Sequence, residues 1–119
     1  MCMWGNNPVN FVDPLGLETL LCSRPLQGNE KQYGLLRHDY LVLNGTDYGF
    51  FCNGCTVSGP GIVKTGVETP SASNCSEVKC LDEDKLLRNI QADKISPPKY
   101  NIFSFNCQHW AKKQINRAK

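Results

Sequence analysis

Two histidines and seven cysteines hold most of the reactive chemistry in this 119-residue chain. The segment Phe105-Asn106-Cys107-Gln108-His109-Trp110-Ala111 reads as the start of a helix. On a helix beginning at Asn106 or Cys107, one side carries Cys107, Trp110, Ala111, Gln114, Ile115 and Ala118. The other carries Gln108, Lys112, Lys113, Asn116 and Arg117. Cys107 then sits in the first turn, at the top of the stripe that faces the core. There the unpaired amides and the positive end of the helix dipole favour a thiolate. The same amides can donate to an oxyanion formed after attack. The competing reading of Cys107 is a small buried thiol that packs a helix end.

A thiol nucleophile needs a base. His109 lies two residues on, roughly 200° around the helix, and cannot easily reach back to Cys107. It reads as a partly exposed helix residue. His38 remains, in mid-strand among Leu36, Tyr40 and Val42, an odd place for a polar ring without a partner. A third residue would hold its tautomer. If Asn44 to Asp47 form a four-residue loop, Leu43 pairs with Tyr48 and counting back sets His38 beside Asn53. A slip of one residue would move Asn53 to the other face, so Asp39, Asp47 and Glu68 stay open as alternatives. The implied chemistry is acyl transfer to Cys107. His38 takes the thiol proton, the Cys107 amide with help from Gln108 stabilises the oxyanion, and water resolves the thioester. No metal or cofactor is called for.

The other cysteines read differently. Cys52-Asn53-Gly54-Cys55 followed by Cys75 and Cys80 is compatible with a zinc site, with one or two disulfides, or with plain buried thiols. A staple of either kind suits so small a domain. With seven cysteines, at least one stays unpaired if the rest form intramolecular disulfides.

Length and composition bound the rest. One domain fits, and 40% hydrophobic against 20% charged residues allows a packed core. A net charge of +2 gives no reason to expect a nucleic-acid partner. The basic residues near the end (Lys112, Lys113, Arg117, Lys119) complement a helix dipole. No run of about 18 apolar residues occurs, so no helical membrane span is expected, and the N-terminus lacks a signal-peptide pattern.

The elements that must position the site follow from local pattern. Leu35 to Leu43 is rich in β-formers, Asn44-Gly45-Thr46-Asp47 is a hairpin signal, and Tyr48 to Cys52 returns as a second strand. Residues 61–68 suggest a third strand and residues 69–76 a loop. Asp82 reads as an N-cap, with Leu81 and Leu86 as a hydrophobic staple, for an amphipathic helix over 83–92. Ser96-Pro97-Pro98 ends it. Tyr100 to Phe105 alternates as a strand and 107–118 closes as a helix. The expected fold is α+β, a small antiparallel sheet with a C-terminal helix that carries the nucleophile.

Residues 1–17 have turn chemistry rather than core periodicity, through Asn6-Asn7-Pro8 and Asp13-Pro14-Leu15-Gly16. Asn7, Pro8, Asn10, Asp13, Pro14, Gly16 and Leu17 resemble the end of the conserved core of Rhs-repeat proteins, the shells of bacterial polymorphic toxins. That resemblance implies a leader over 1–17 and a toxin effector over 18–119, released by cleavage near Leu17. It also implies secretion, type VI included, and delivery into a target cell. The shell and an immunity protein would be its partners.

A second resemblance rests on Asn106, Cys107, His109 and the aromatic Trp110, with His38 upstream on a strand. These are similar to the circularly permuted papain-like superfamily, which includes the lecithin:retinol acyltransferase-like proteins. Gln108 replaces that family's acid, and the second strand histidine of its acyltransferases is missing. The resemblance implies a permuted papain-like fold and a Cys107–His38 hydrolase. Amide cleavage or deamidation of protein or peptidoglycan comes before ester or phospholipid hydrolysis. The alternatives from other classes are a zinc- or disulfide-stapled binding module without catalysis, and a nuclease using His38 or His109 with the basic tail. Against the nuclease, no carboxylate–histidine metal cluster is visible.

Overall fold

The computed structural model of the protein describes residues 19–26, 37–71 and 73–119. The leader over 1–17, and Leu35 and Leu36 of the expected first strand, lie outside these residues. Among the described residues six strands and two helices follow in chain order: β1 (Thr19–Pro25), β2 (Arg37–Leu43), β3 (Thr46–Cys52), β4 (Ser58–Thr65), β5 (Cys75–Glu77), α1 (Glu83–Ile95), β6 (Lys99–Asn101) and α2 (Cys107–Arg117). The sheet runs β5-β1-β2-β3-β4-β6 with every pairing antiparallel. This is the α+β arrangement, a small antiparallel sheet with two helices.

The β2–β3 hairpin fixes what faces what. Its turn is the two residues Asn44 and Gly45, with φ of 54° and 84°, the doubly left-handed pair of a type I′ turn. Leu43 therefore pairs with Thr46 and Leu41 with Tyr48. The expected four-residue loop is wrong by two positions, because Asn-Gly alone supplies both positive φ values the tight turn needs. Continuing the register brings Phe51, not Asn53, beside His38, and their rings stack at 4.6 Å. Asn53 is exposed past the end of β3, where its amide donates to Pro60 O at 2.8 Å.

Alternation then divides the sheet into two faces. Leu41, Leu43, Tyr48, Phe50 and Val63 meet Leu86 and Ile90 of α1 and Trp110, Ala111 and Ile115 of α2. Phe50 lies 5.9 Å from Trp110, 5.6 Å from Tyr100 and 5.5 Å from Phe105. Such aromatic pairs add about 0.5–1.5 kcal/mol each beyond their buried area. The opposite face carries Cys22, Tyr40 and Val42, with Leu20 and Cys75 against them. Gly61 has no room for a side chain: a Cβ there would run into Pro98 O and the Phe50 ring, which lets β4 pass close under the segment leading to β6.

The helices are held by their ends. Asp82 caps α1 by accepting from Lys85 N at 3.0 Å, and its own amide donates to Ala118 O at 2.8 Å, tying the start of α1 to the end of α2. Asp93 accepts from Trp110 Nε1 at 3.0 Å and Gln114 Nε2 at 2.9 Å. α1 runs to Ile95, three residues past the expected end at 92, because its Ser-Pro-Pro stop begins only at Ser96. The expected strand over 100–105 is shorter. β6 ends at Asn101, whose side chain accepts from the amides of Phe103 and Ser104 and turns the chain. The third strand is shifted to 58–65, the short β5 begins inside the expected loop, and β1 is a further strand beyond those the sequence pattern predicts.

Candidate functional site

Cys107 occupies the position its sequence suggested, the first residue of α2, and every residue of the stripe below it (Trp110, Ala111, Gln114, Ile115, Ala118) is buried. The helix start is well built. Asn106 Oδ1 accepts from Gln108 N at 2.9 Å and His109 N at 3.3 Å, while His109 Nδ1 accepts from Asn106 N at 3.2 Å. This reciprocal capping box gives His109 a structural task, consistent with its place on the far side of the helix. Asn106 Nδ2 also donates to Ile102 O at 2.8 Å, which pins the cap to the preceding turn. The cap engages the amides of Gln108 and His109; that of Cys107, the one expected to face an oxyanion, is outside that pair.

The sulfur lies against β2. Cys107 Sγ is 3.9 Å from Arg37 O, to which Gln108 Nε2 also donates at 3.0 Å. Cys107 is 1% exposed. On this face of β2 the side chains are Arg37, Asp39 and Leu41. Arg37 Nε donates to Asp39 Oδ1 at 2.8 Å, and Asp39 is buried. The hydrogen bond and charge of Asp39, and more weakly the charge of Cys107, raise the Arg37 pKa above its usual value.

His38 is one residue along the strand and therefore points to the other face. Its ring stacks on Phe51, lies 6.0 Å from Tyr40, and sits so close over Gly49 that a Cβ there would come within 3.1 Å of Nε2. Nε2 is 3.4 Å from Glu68 Oε2 without the geometry of a hydrogen bond. Glu68 is held by Arg24, Nε to Oε1 at 2.6 Å and Nη2 to Oε2 at 3.1 Å. Burial, and then the Arg24 charge, lower the His38 pKa to about 3, so near neutrality the contact joins a neutral ring to a carboxylate and is no ion pair. The structure thus does not bring His38 to Cys107: the two side chains occupy opposite faces of β2. Nor does it bring Asn53 to His38. Glu68 is the side chain at His38, and Asp39 the carboxylate on the face of Cys107. Both stood among the open alternatives for the third position.

The cysteines divide sharply. Cys22–Cys75 and Cys52–Cys55 are disulfides, Cys80 is also disulfide-bonded, and among the described cysteines Cys107 is the one outside a disulfide. The pairing Cys22–Cys75 joins β1 to β5, whose backbones run side by side at these positions. Among the described residues no group of three or more His, Cys, Asp or Glu side chains is placed to hold a metal ion. No described helix is long and apolar enough to cross a membrane. Comparison with protein families, with curated proteins and with solved structures finds no match to this chain.

Proposed function

We propose that the chain is a cysteine-dependent hydrolase in which Cys107 is the nucleophile, and that it acts as a toxin on amide bonds of protein or peptidoglycan. The observation that carries this reading is the placement of the Cys107 thiol. Among the described cysteines, Cys107 alone stands outside a disulfide, and it stands at the first position of a capped helix beside a guanidinium. The similarity of the Asn106–Trp110 segment to permuted papain-like enzymes supports amide chemistry and that fold. The Rhs-like turn residues before position 18 support delivery into a target cell, an encasing shell and an immunity protein.

The geometry changes the base. With His38 turned away, Asp39 takes the proton from the thiol and Arg37 holds the resulting thiolate. The Cys107 amide and the carboxamide of Gln108 are the donors nearest to an oxyanion at the attacked carbonyl. The test is growth of cells that express wild type, Cys107→Ala or Cys107→Ser, with folding checked by circular dichroism. Loss of toxicity in both folded variants is expected. Undiminished killing by Cys107→Ala would end the catalytic reading.

A second reading is favoured by the burial of Cys107 and by the disulfides: a disulfide-stapled binding module. It predicts that both Cys107 variants keep full toxicity.

A further inference from the structure

The Cys52–Cys55 disulfide has no part in the chemistry proposed above, yet its surroundings lead to Cys107. It closes a loop of sequence separation 3 around the exposed Asn53 and Gly54, and both its cysteines are half-buried. Cys22–Cys75 spans a separation of 53 and has one partner, Cys22, only 1% exposed. An attacking thiolate reaches an accessible sulfur first, and a short loop loses little chain entropy when it is closed, so the two bonds differ in lability.

Cys55 lies directly on the start of β4. Its sulfur is 3.6 Å from Pro60 O, and a Cβ on Gly59 would come within 2.9 Å of it. Ser58, Gly59 and Pro60 are the three residues that pair with β6, at Asn101, Tyr100 and Lys99. Between the disulfide and that pairing, Val57 O accepts from Ile102 N at 2.7 Å, and Ile102 O accepts from Asn106 Nδ2 at 2.8 Å. Asn106 is the cap of α2. Two hydrogen bonds therefore lead from Val57, two residues past Cys55 in the chain, through Ile102 to the residue that precedes the nucleophile.

We propose that Cys52–Cys55 is a thiol–disulfide exchange site for a dithiol reductant, and that its reduction opens access to Cys107. One thiolate of the dithiol attacks a sulfur of the pair, and the other sulfur leaves as a thiolate that takes a proton from water. The second thiol of the reductant then resolves the mixed disulfide. The dithiol is oxidised to its disulfide by two electrons, and Cys52 and Cys55 become two thiols. Freed of its closure, the loop loosens the β4–β6 pairing and the Ile102–Asn106 contact. A thiol that is 1% exposed in the oxidised chain then becomes reachable. The regulatory half of this proposal rests on the reading of Cys107 as nucleophile; the exchange and the access do not.

The experiment titrates the full chain with dithiothreitol under native conditions, alkylates with iodoacetamide and maps the labelled peptides. Cys52 and Cys55 are expected to label at concentrations that leave Cys22–Cys75 intact. The alkylation rate of Cys107 should rise by at least about tenfold over the same range, with the far-ultraviolet circular dichroism unchanged. The double variant Cys52→Ser/Cys55→Ser should show the faster Cys107 rate with no reductant, which assigns the effect to this bond. Reduction of Cys22–Cys75 first, an unchanged Cys107 rate, or loss of the dichroism signal when Cys52–Cys55 opens would each overturn the proposal. Because labelling reports access and not turnover, a chain that labels as expected but proves inactive leaves the switch standing and removes only the hydrolase.

Discussion

His38 Nε2 stands 3.4 Å from Glu68 Oε2, on the face of β2 that Cys107 does not touch. A neutral imidazole enclosed with a carboxylate and an arginine is a folding element before it is anything else. Its depressed pKa, about 3, sets the direction of a pH effect. Above the ordinary histidine value of about 6.5, both folded and unfolded chains are neutral at this site and the stability is complete. As pH falls toward 3, the unfolded chain binds a proton that the folded chain refuses, and stability is lost.

Urea denaturation between pH 7 and pH 4 should therefore show a stability loss in wild type that is shallower in His38→Gln. One proton accounts for at most about 1.4 kcal/mol per pH unit. Identical slopes in the two proteins would remove His38 from the account.

The same geometry separates two variants by activity. His38→Gln should retain toxicity wherever it is folded, whereas Asp39→Asn should reduce it at least about a hundredfold. Growth inhibition at matched expression reads both, a loss of about a hundredfold being the low end of what a general base contributes. If the histidine variant alone is inactive, the base lies on the other side of the strand from where it is placed here.

Asp47 is buried and accepts three backbone hydrogen bonds, from Gly66 at 2.9 Å and from Val67 and Glu68 at 3.0 Å. It thereby fixes the turn that carries Glu68 to His38. Asp47→Ala leaves three donors without their acceptor and should cost about 2–4 kcal/mol, read as a lowered denaturation midpoint. A change below about 0.5 kcal/mol would mean the turn holds without it.

Asn106→Ala removes the cap of α2 together with the bond to Ile102 O. A loss of about 1–2 kcal/mol is expected, with Cys107 more readily alkylated in the folded state. Asn106→Asp should recover the cap but not the Ile102 contact, so an intermediate alkylation rate separates the two contributions.

How much of this was legible in the residues differs by element. The stripe Cys107, Trp110, Ala111, Gln114, Ile115, Ala118 was readable in full, because a 3.6-residue period leaves little choice of buried side once the start is known. The cap at Asp82 was readable for the same local reason. The face of His38 was not. It depended on which face of β2 receives α2, while the partner of His38 depended on whether Asn44-Gly45 closes the hairpin alone or with Thr46 and Asp47. The face is settled by the larger apolar surface of Leu41, Leu43, Phe50 and Val63, a sum over three strands and two helices. Asp39 had a signal that could have been followed: it alternates with Leu41 and Leu43, the most apolar run in the strand, and so shares their side.

The Asn44-Gly45 turn has one more consequence. Phe50 and Phe51 are chemically identical neighbours, yet one packs with Trp110 and the other with His38, and only the length of that turn decides which. A single residue added there would exchange them, sending the wrong ring into each layer along with every side chain of β3. The hairpin is thus a counting device. Sequence drift can alter the identity of its two residues, within what positive φ allows, but an insertion at that point is a change of fold.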